Sequence, residues 1–429
     1  MKNVLKLGAV VLAIVMVLSM SVTAFATEPT PATLTNGTVG TTGTALADGI
    51  SIPKTIVFVN DESTTVREPN ITYEYTVAAV TVNSTAPTVS DGTTTAVVNS
   101  GVIGANTNTD HKASVVFADT NTVAAVVSTG TADTKNFTLT FDASQFTHAG
   151  IYRYSVTESI ASGSKTKANV GVTEAATYSN VRYLDVYVEN GDSGLQIYGY
   201  VLFESSDATT QNISSGESAP SKSNGWVDTD TNTSDTVHAD VDVYKTHNIQ
   251  VTKATTGSLA DKTHRFNFDA VVTSTGVDGS TKLDVATTGA ATTTPSSDTV
   301  GSYISGATAT YSFELKDGEN ATIKGIPETA SVVVTETNDS VDTYSVTATS
   351  TVGSEAATTV FTKASKAPNA TAATSSVSIT DKTVIAFTNE LIAVSPTGVV
   401  LRVAPYALML GVGLFLVLFS RRRKNRAEA

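Results

Sequence analysis

The sequence predicts an all-β protein with two tandem antiparallel β-sandwich domains. Three observations lead there. Thr and Val, which suit a pleated and half-buried surface, dominate the central part of the chain together with Ala and Ser. Short segments alternate apolar and polar side chains with a period of two, and glycine-containing turns separate them. No long amphipathic helical pattern interrupts them before the C-terminal tail. A chain of 429 residues has room for two or three such units, each able to bury one inter-sheet core.

The elements follow in order. Lys2 and Lys6 precede an apolar run, Leu7 to Met20, and Ala24-Phe25-Ala26 is a small-x-small cleavage site. Residues 1–26 are therefore expected to be a removable signal peptide. Residues 27–47, rich in Thr, Gly and Pro, are expected to form a flexible leader. Alternation begins at Ile50 to Val59 and returns at Ile71 to Val80, Asn136 to Phe141, Ile151 to Glu158, Val181 to Glu189 and Leu195 to Phe203. Thr81 to Lys112 is of low complexity and is expected to be a long loop or hairpin. Ser205 to Ala239 is a second polar stretch and holds the only tryptophan, Trp226. The first domain is placed at 48–247. The second, at 248–393, contains strand patterns at Asn248 to Lys253, Phe266 to Val272, Tyr311 to Glu319, Ala321 to Pro327, Ser331 to Glu336, Tyr344 to Ser350 and Val384 to Asn389. Tyr152, Tyr154, Tyr183, Phe266, Phe268 and Phe313 are expected in the cores.

The tail carries a motif, VSPTG at 394–398, then a mostly apolar segment at 399–420, then a basic end at 421–429 with Arg421, Arg422, Arg423 and Lys424. The segment is long enough for one bilayer crossing, which needs roughly 20 residues, and the basic cluster is expected to stay on the cytoplasmic side. Arg402 and Pro405 weaken its outer end. Pro396 would present the Thr397–Gly398 bond in a cleft, and Gly398 leaves room for an attacking thiolate. A short Pro-Thr-Gly motif, an apolar segment and a basic cluster, in that order, form a sorting signal of the kind sortase transpeptidases read. Cleavage after Thr397 would join its carboxyl to an amine.

Without both processing segments, 19 Lys and Arg face 39 Asp and Glu, a net charge of -20. A surface this acidic argues against nucleic-acid binding. There are no cysteines, so no disulfide can staple an exported chain. The five histidines, His111, His148, His238, His247 and His264, show no metal-ligand spacing. No cofactor motif, phosphate-cradling loop or hydrolase nucleophile elbow is present, and a wall-attached hydrolase finds no support.

The two domains share a pattern. Lys54 ends ISIPK and Lys253 ends IQVTK, each on a first strand; Glu158 and Glu336 each close a VTE on a central strand; Asn389 lies in FTN on the last strand of the second domain. A lysine and a carboxylate facing a core are costly unless paired. Their chemistry together is an intramolecular amide between Lys and Asn or Asp. An apolar site lowers the lysine pKa and so frees the amine, and the same site raises the glutamate pKa so that it can donate to the attacked carbonyl. Folding supplies proximity worth roughly 7–11 kcal/mol of barrier. Such a bond would replace the absent disulfides.

On these residues the chain resembles major (shaft) pilins of Gram-positive bacteria, of the two-domain streptococcal T-antigen type. The second domain carries the densest match, from NIQVTK (Asn248 to Lys253) through FNF (Phe266 to Phe268), FELKDGE (Phe313 to Glu319) and VVVTE (Val332 to Glu336) to FTN (Phe387 to Asn389). The first matches at IPK (Ile52 to Lys54), GIYRYSVTE (Gly150 to Glu158) and VRYLDVYV (Val181 to Val188). The resemblance implies immunoglobulin-like sandwiches and one isopeptide bond in each: Lys253 to Asn389 with Glu336 as catalyst, and Lys54 with Glu158 as catalyst. The family's acceptor asparagine falls eleven residues before the second domain's lysine, where this chain has Asp242; Asp228 and Asn248 are the alternatives. The polymerisation lysine implied is Lys222 in PSKSNGW, with Lys245 in VYKTHN as competitor. The protein is then a structural subunit, not a turnover enzyme, with identical subunits, a sortase, minor pilins and peptidoglycan as partners. Its place would be the cell wall and fimbria, with a precursor in the plasma membrane. The alternative is a monomeric wall-anchored adhesin, which would need no reactive lysine.

Overall fold

The computed structural model of the chain describes residues 31–46, 49–62, 64–82, 88–90, 95–126, 130–175, 177–204, 210–212, 222–229, 238–274, 284–288, 293–294, 308–328, 330–337, 344–363, 371–391 and 396–427. The signal region, 1–26, lies outside them. The architecture is all-β, with two sandwiches in tandem.

In the first sandwich, the Gly49–Val59 strand pairs antiparallel with Thr131–Thr140 and parallel with Asp242–Thr256. The facing sheet centres on Gly150–Ile160, flanked by Ile71–Ala79 and by Val181–Gly191, which continues into Gly194–Phe203. Period-two alternation sends Ile50, Ile52, Ile56, Phe137, Leu139, Tyr154, Val156 and Leu184 into one core. The region 31–46, expected as a flexible leader, is built into the sandwich. Ala32–Thr33 runs parallel to Ile50 and Ser51, Thr38–Gly40 pairs with Gly199 to Val201, and Leu34 is buried.

Two polar stretches carry more structure than their composition suggests. Within 81–112, Thr88–Ser90 and Thr95–Ser100 form an antiparallel hairpin. Val89 and Val98 of this hairpin pack with Ile151, Tyr187, Val201 and Phe203. Beside that layer Arg153 is buried against Asp185, its Nε and Nη2 each 2.7 Å from a carboxylate oxygen. In the second stretch, Trp226 forms a parallel bridge to Lys54 of the Gly49–Val59 strand. Trp226 N donates to Pro53 O at 3.0 Å and accepts at its own carbonyl from Thr55 N at 2.8 Å. Pro53 has no N–H to offer, so it sits where only its carbonyl is used. The Trp226 ring is fully buried against Tyr75 and Phe137.

In the second sandwich, the later part of Asp242–Thr256 pairs antiparallel with Asn320–Pro327 and parallel with Thr383–Glu390. Ser345–Val352 and Thr358–Lys363 extend that sheet. The facing sheet is Thr308–Leu315, Phe266–Ser274 and Ala330–Thr337. Phe268 fills the gap between the sheets, stacked on Phe313 with centroids 5.7 Å apart and edge-on to Phe387 at 5.2 Å.

Asp242–Thr256 thus serves both sandwiches. Asp242 and Tyr244 face the first core, Ile249, Val251 and Lys253 the second. These inward positions are even-numbered in the first sandwich and odd-numbered in the second, and the pairing with Asn320–Pro327 shifts by one residue between His247 and Ile249. Around that shift, Asn60 donates to Thr246, His247 Nδ1 lies 2.8 Å from Asp61 Oδ2, Lys382 pairs with Glu62, and Lys245 Nζ lies 2.5 Å from Glu328 Oε1. The histidines show no ligand spacing in sequence, yet folding brings His247, Asp61 and Asp381 together, with ligand atoms within 4.8 Å of one another.

A helix, Pro396–Ala427, ends the chain. Its large apolar residues from Tyr406 to Phe419 are 50–73% exposed. Among the described residues no helix is long and apolar enough to cross a membrane.

Candidate functional site

Each sandwich buries a lysine against a carboxylate from the opposite sheet. In the second, Lys253 lies on the Asp242–Thr256 strand and Asn389 on its parallel neighbour, opposite Thr255, one inward-facing position further along. Glu336 reaches across from Ala330–Thr337, in the facing sheet. Its Oε2 accepts from Lys253 Nζ at 2.7 Å and its Oε1 from Asn389 Nδ2 at 2.6 Å. All three residues are at most 2% exposed. The Lys253 ammonium lies 3.8 Å from the Phe266 ring centroid and 5.8 Å from that of Phe268. Burial pulls the Lys253 pKa down to about 8 against the opposing attraction of Glu336. The Asn389 Oδ1 atom is buried with no hydrogen-bond partner, so a polar acceptor stands undersatisfied beside an amine.

In the first sandwich, Lys54 Nζ lies 2.7 Å from Asp242 Oδ2 and 3.0 Å from Glu158 Oε2, and it donates to the Tyr178 hydroxyl at 2.9 Å. Lys54 and Asp242 are fully buried and Glu158 nearly so. Lys54 is on the Gly49–Val59 strand and Asp242 on its parallel partner, while Glu158 again comes from the facing sheet. Of the three possible acceptors, folding brings Asp242 to the amine. Asp228 instead accepts from His238 and from Ala239 N. Asn248 lies at the junction, bonded to Asn60, Glu62 and Gly325.

Further side chains complete this first cluster. Lys167, on the short helix Lys167–Val170, places Nζ 2.9 Å from Asp242 Oδ1, 3.1 Å from Glu158 Oε1 and 2.9 Å from Glu174 Oε1. Tyr75 donates to Glu158 at 2.8 Å, Tyr178 donates to its other oxygen, and the Tyr73 ring lies under Lys54 at 4.4 Å. Burial drives the pKa values of Tyr73, Tyr75 and Tyr178 upward, so all three stay neutral. The expectation that an apolar site raises the Glu158 pKa is corrected here. Burial does push it up, but the ammonium groups of Lys54 and Lys167 and the two tyrosine hydroxyls outweigh it, and the net shift is downward. Lys167 sits in a Ser/Gly/Lys-rich turn that has no period-two pattern, so its sequence context gives no hint of an inward role.

The lysines considered for linkage between subunits lie elsewhere. Lys222 bridges to Phe203 and lines a groove of about 400 Å³ with Thr38 to Thr42, Tyr187 and Tyr198 to Val201. Burial lowers its pKa. Lys245 pairs with Glu328 across the junction. Thr397 and Gly398 fall within the terminal helix, whereas Val394 and Ser395 lie outside the described residues.

Residues 247–390 match a family described as a domain of unknown function, DUF7601. No curated protein matches the chain. Among solved structures, the chain is similar to the major pilin of Streptococcus pyogenes, with 18% identity over 80% of this chain and 99% of that one and a TM-score of 0.39. It is similar to the T3.2 major pilin of the same organism, with 17% identity over 83% of this chain and 99% of that one and a TM-score of 0.42. The pilus-presented adhesin Cpa aligns with 50% of this chain and 38% of its own, at 18% identity and a TM-score of 0.23.

Proposed function

We propose that the chain is the repeating subunit of a covalently polymerised surface fibre, a pilus shaft protein whose two domains each close an internal Lys–Asn or Lys–Asp isopeptide bond. One observation carries this reading. Both sandwiches hold a buried amine in hydrogen-bond contact with a glutamate from the opposite sheet, with a side-chain carbonyl carbon on the neighbouring parallel strand. Ion pairs at this depth give little net stability for the desolvation they require, so a chemical role explains them better than a packing role.

In the second domain, Lys253 gives a proton to Glu336, and the free amine attacks Cγ of Asn389. The N–C bond forms, the C–Nδ2 bond breaks and ammonia leaves. In the first, Lys54 and Asp242 condense with loss of water. Each bond ties neighbouring parallel strands. Tension carried from Asp242 to Lys253 then follows one extended strand, and most of both domains lies outside the loaded path.

The tail supplies linkage between subunits. An export signal and a membrane-held precursor present the Thr397–Gly398 bond to a sortase. The apolar surface exposed around the helix from Tyr406 to Phe419 supports a membrane location for that segment. The Thr397 carboxyl joins a lysine of the next subunit, Lys222 ahead of Lys245, and the finished fibre joins minor pilins and peptidoglycan. Wall extracts separated on a denaturing gel test this. A ladder of high-molecular-weight bands reactive with antibody to this chain is expected; a single monomer band would favour the wall-anchored adhesin.

A further inference from the structure

The two clusters differ in two respects, and the differences match. The second has a neutral acceptor, Asn389, with one ammonium and one carboxylate, Lys253 and Glu336. The first has an acidic acceptor, Asp242, and a second ammonium, Lys167. Exchanging an amide for a carboxylate would leave one uncompensated negative charge in a fully buried site, which is strongly unfavourable. Lys167 removes that excess. Its Nζ touches the Asp242 oxygen that Lys54 does not, so the carboxylate lies between two ammonium groups.

We propose that Lys167 is a positioning residue for the Lys54–Asp242 bond, the counter-charge that allows an aspartate to serve as acceptor in this domain. The proposal rests on the reading of the clusters as cross-linking sites. The Lys54 ammonium passes a proton through Glu158 to Asp242 Oδ2. The free amine then attacks Cγ, and negative charge collects on Oδ1, where Lys167 holds it. A second proton leaves the nitrogen by the same route to Oδ2, the C–Oδ2 bond breaks and water departs. Oδ1 becomes the amide oxygen. Glu158 ends ionised, as it began, and is left paired with Lys167. No oxidant or other reactant is required.

The groups facing this pair come from every element around it: Lys54, Glu158, Glu174, Tyr73, Tyr75 and Tyr178. Glu174 is about half exposed and meets Lys167 from the solvent side. The tyrosines stay neutral, so in the absence of Lys167 a proton on one of the two buried carboxylates, Asp242 or Glu158, must restore the balance.

The test follows loss of water by intact mass in the full chain after cell-free synthesis, over a pH series. The unsubstituted chain is expected to lose one water from the first domain. Lys167→Met should slow that loss about 100-fold at neutral pH, the scale of removing one oxyanion donor, and conversion should recover as pH falls towards the ordinary aspartate range. The double variant Lys167→Met with Asp242→Asn recreates the charge count of the second domain and should regain a fast bond, now losing ammonia. Water loss as fast in Lys167→Met as in the unsubstituted chain overturns the proposal. So does absence of conversion in both variants at every pH. Absence of water loss in the unsubstituted chain overturns the cross-link reading itself, a separate result.

Discussion

Asp242 and Lys253 lie on one uninterrupted strand, yet each faces the core of a different sandwich. The two residues are eleven steps apart, an odd number that puts their side chains on opposite faces of a regular strand, and the pairing with Asn320–Pro327 shifts between His247 and Ile249. The strand thus carries one residue of each buried cluster and joins the two clusters directly over roughly 36 Å.

The first prediction concerns mass. The purified ectodomain is expected to lack one ammonia and one water relative to its sequence. Glu336→Ala should retain the ammonia while the water is still lost. A cross-link from Lys253 to Asn389 closes a loop of over 100 residues, so its absence should lower stability by about 5 kcal/mol. Denaturant unfolding of the variant against the parent protein measures this. A parent mass equal to the unmodified sequence would sink the isopeptide claim.

The pH dependence of the uncrosslinked domain has a definite sign. In Asn389→Ala, Lys253 and Glu336 remain but no acceptor is present. Burial holds the Lys253 pKa near 8, below its ordinary value of 10.5. Between those values the unfolded chain binds more protons than the folded one, so stability rises with pH across that window and is flat below it. The gain should reach about 3 kcal/mol. Urea midpoints of Asn389→Ala, taken from pH 7 upward (about half-unit steps suffice) and compared with the unsubstituted chain, provide the check. A variant that loses stability relative to the parent across this window would contradict the assignment.

Trp226 tests the closure of the first sandwich. Its ring is fully buried against Tyr75 and Phe137, and Nε1 donates to Ser179 O at 3.0 Å. Trp226→Ala should cost about 3–5 kcal/mol and open the first domain to protease while sparing the second. Equal protease resistance of both domains would show that the segment contributes little.

Linkage between subunits is tested by lysine replacement in the native organism. Lys222→Ala is expected to abolish the high-molecular-weight ladder, and Lys245→Ala to preserve it. The reverse outcome would move the linkage role to the junction.

The buried polar residues that could be read from sequence stand in regular strands. Lys54, Glu158, Lys253, Glu336 and Asn389 all occupy positions whose neighbours alternate cleanly, so an inward polar residue is visible as a break in the pattern. Lys167, Tyr178 and Trp226 could not be found this way. They lie in turns and in polar stretches, where orientation is set by the surface onto which the chain folds back and not by local periodicity. The direction of the Glu158 pKa shift is hidden from sequence for the same reason: burial is foreseeable, whereas a second ammonium 3.1 Å away is not. The region 31–46 was also opaque, because its Thr and Gly content gives no indication that two sheet edges are available to pair with it.

Composition and period-two alternation by themselves determined an all-β chain of two sandwiches, because the side-chain period of a strand is a local property of the backbone. Local motifs also singled out a lysine and a glutamate in each domain. Only the tertiary structure decided that Asp242 stands beside Lys54, that Lys167 balances it, and that one strand belongs to both cores. Those relationships join residues up to 188 positions apart. They arise from strand register and sheet-on-sheet packing, which bring distant charges into one desolvated site where each must find its counterpart.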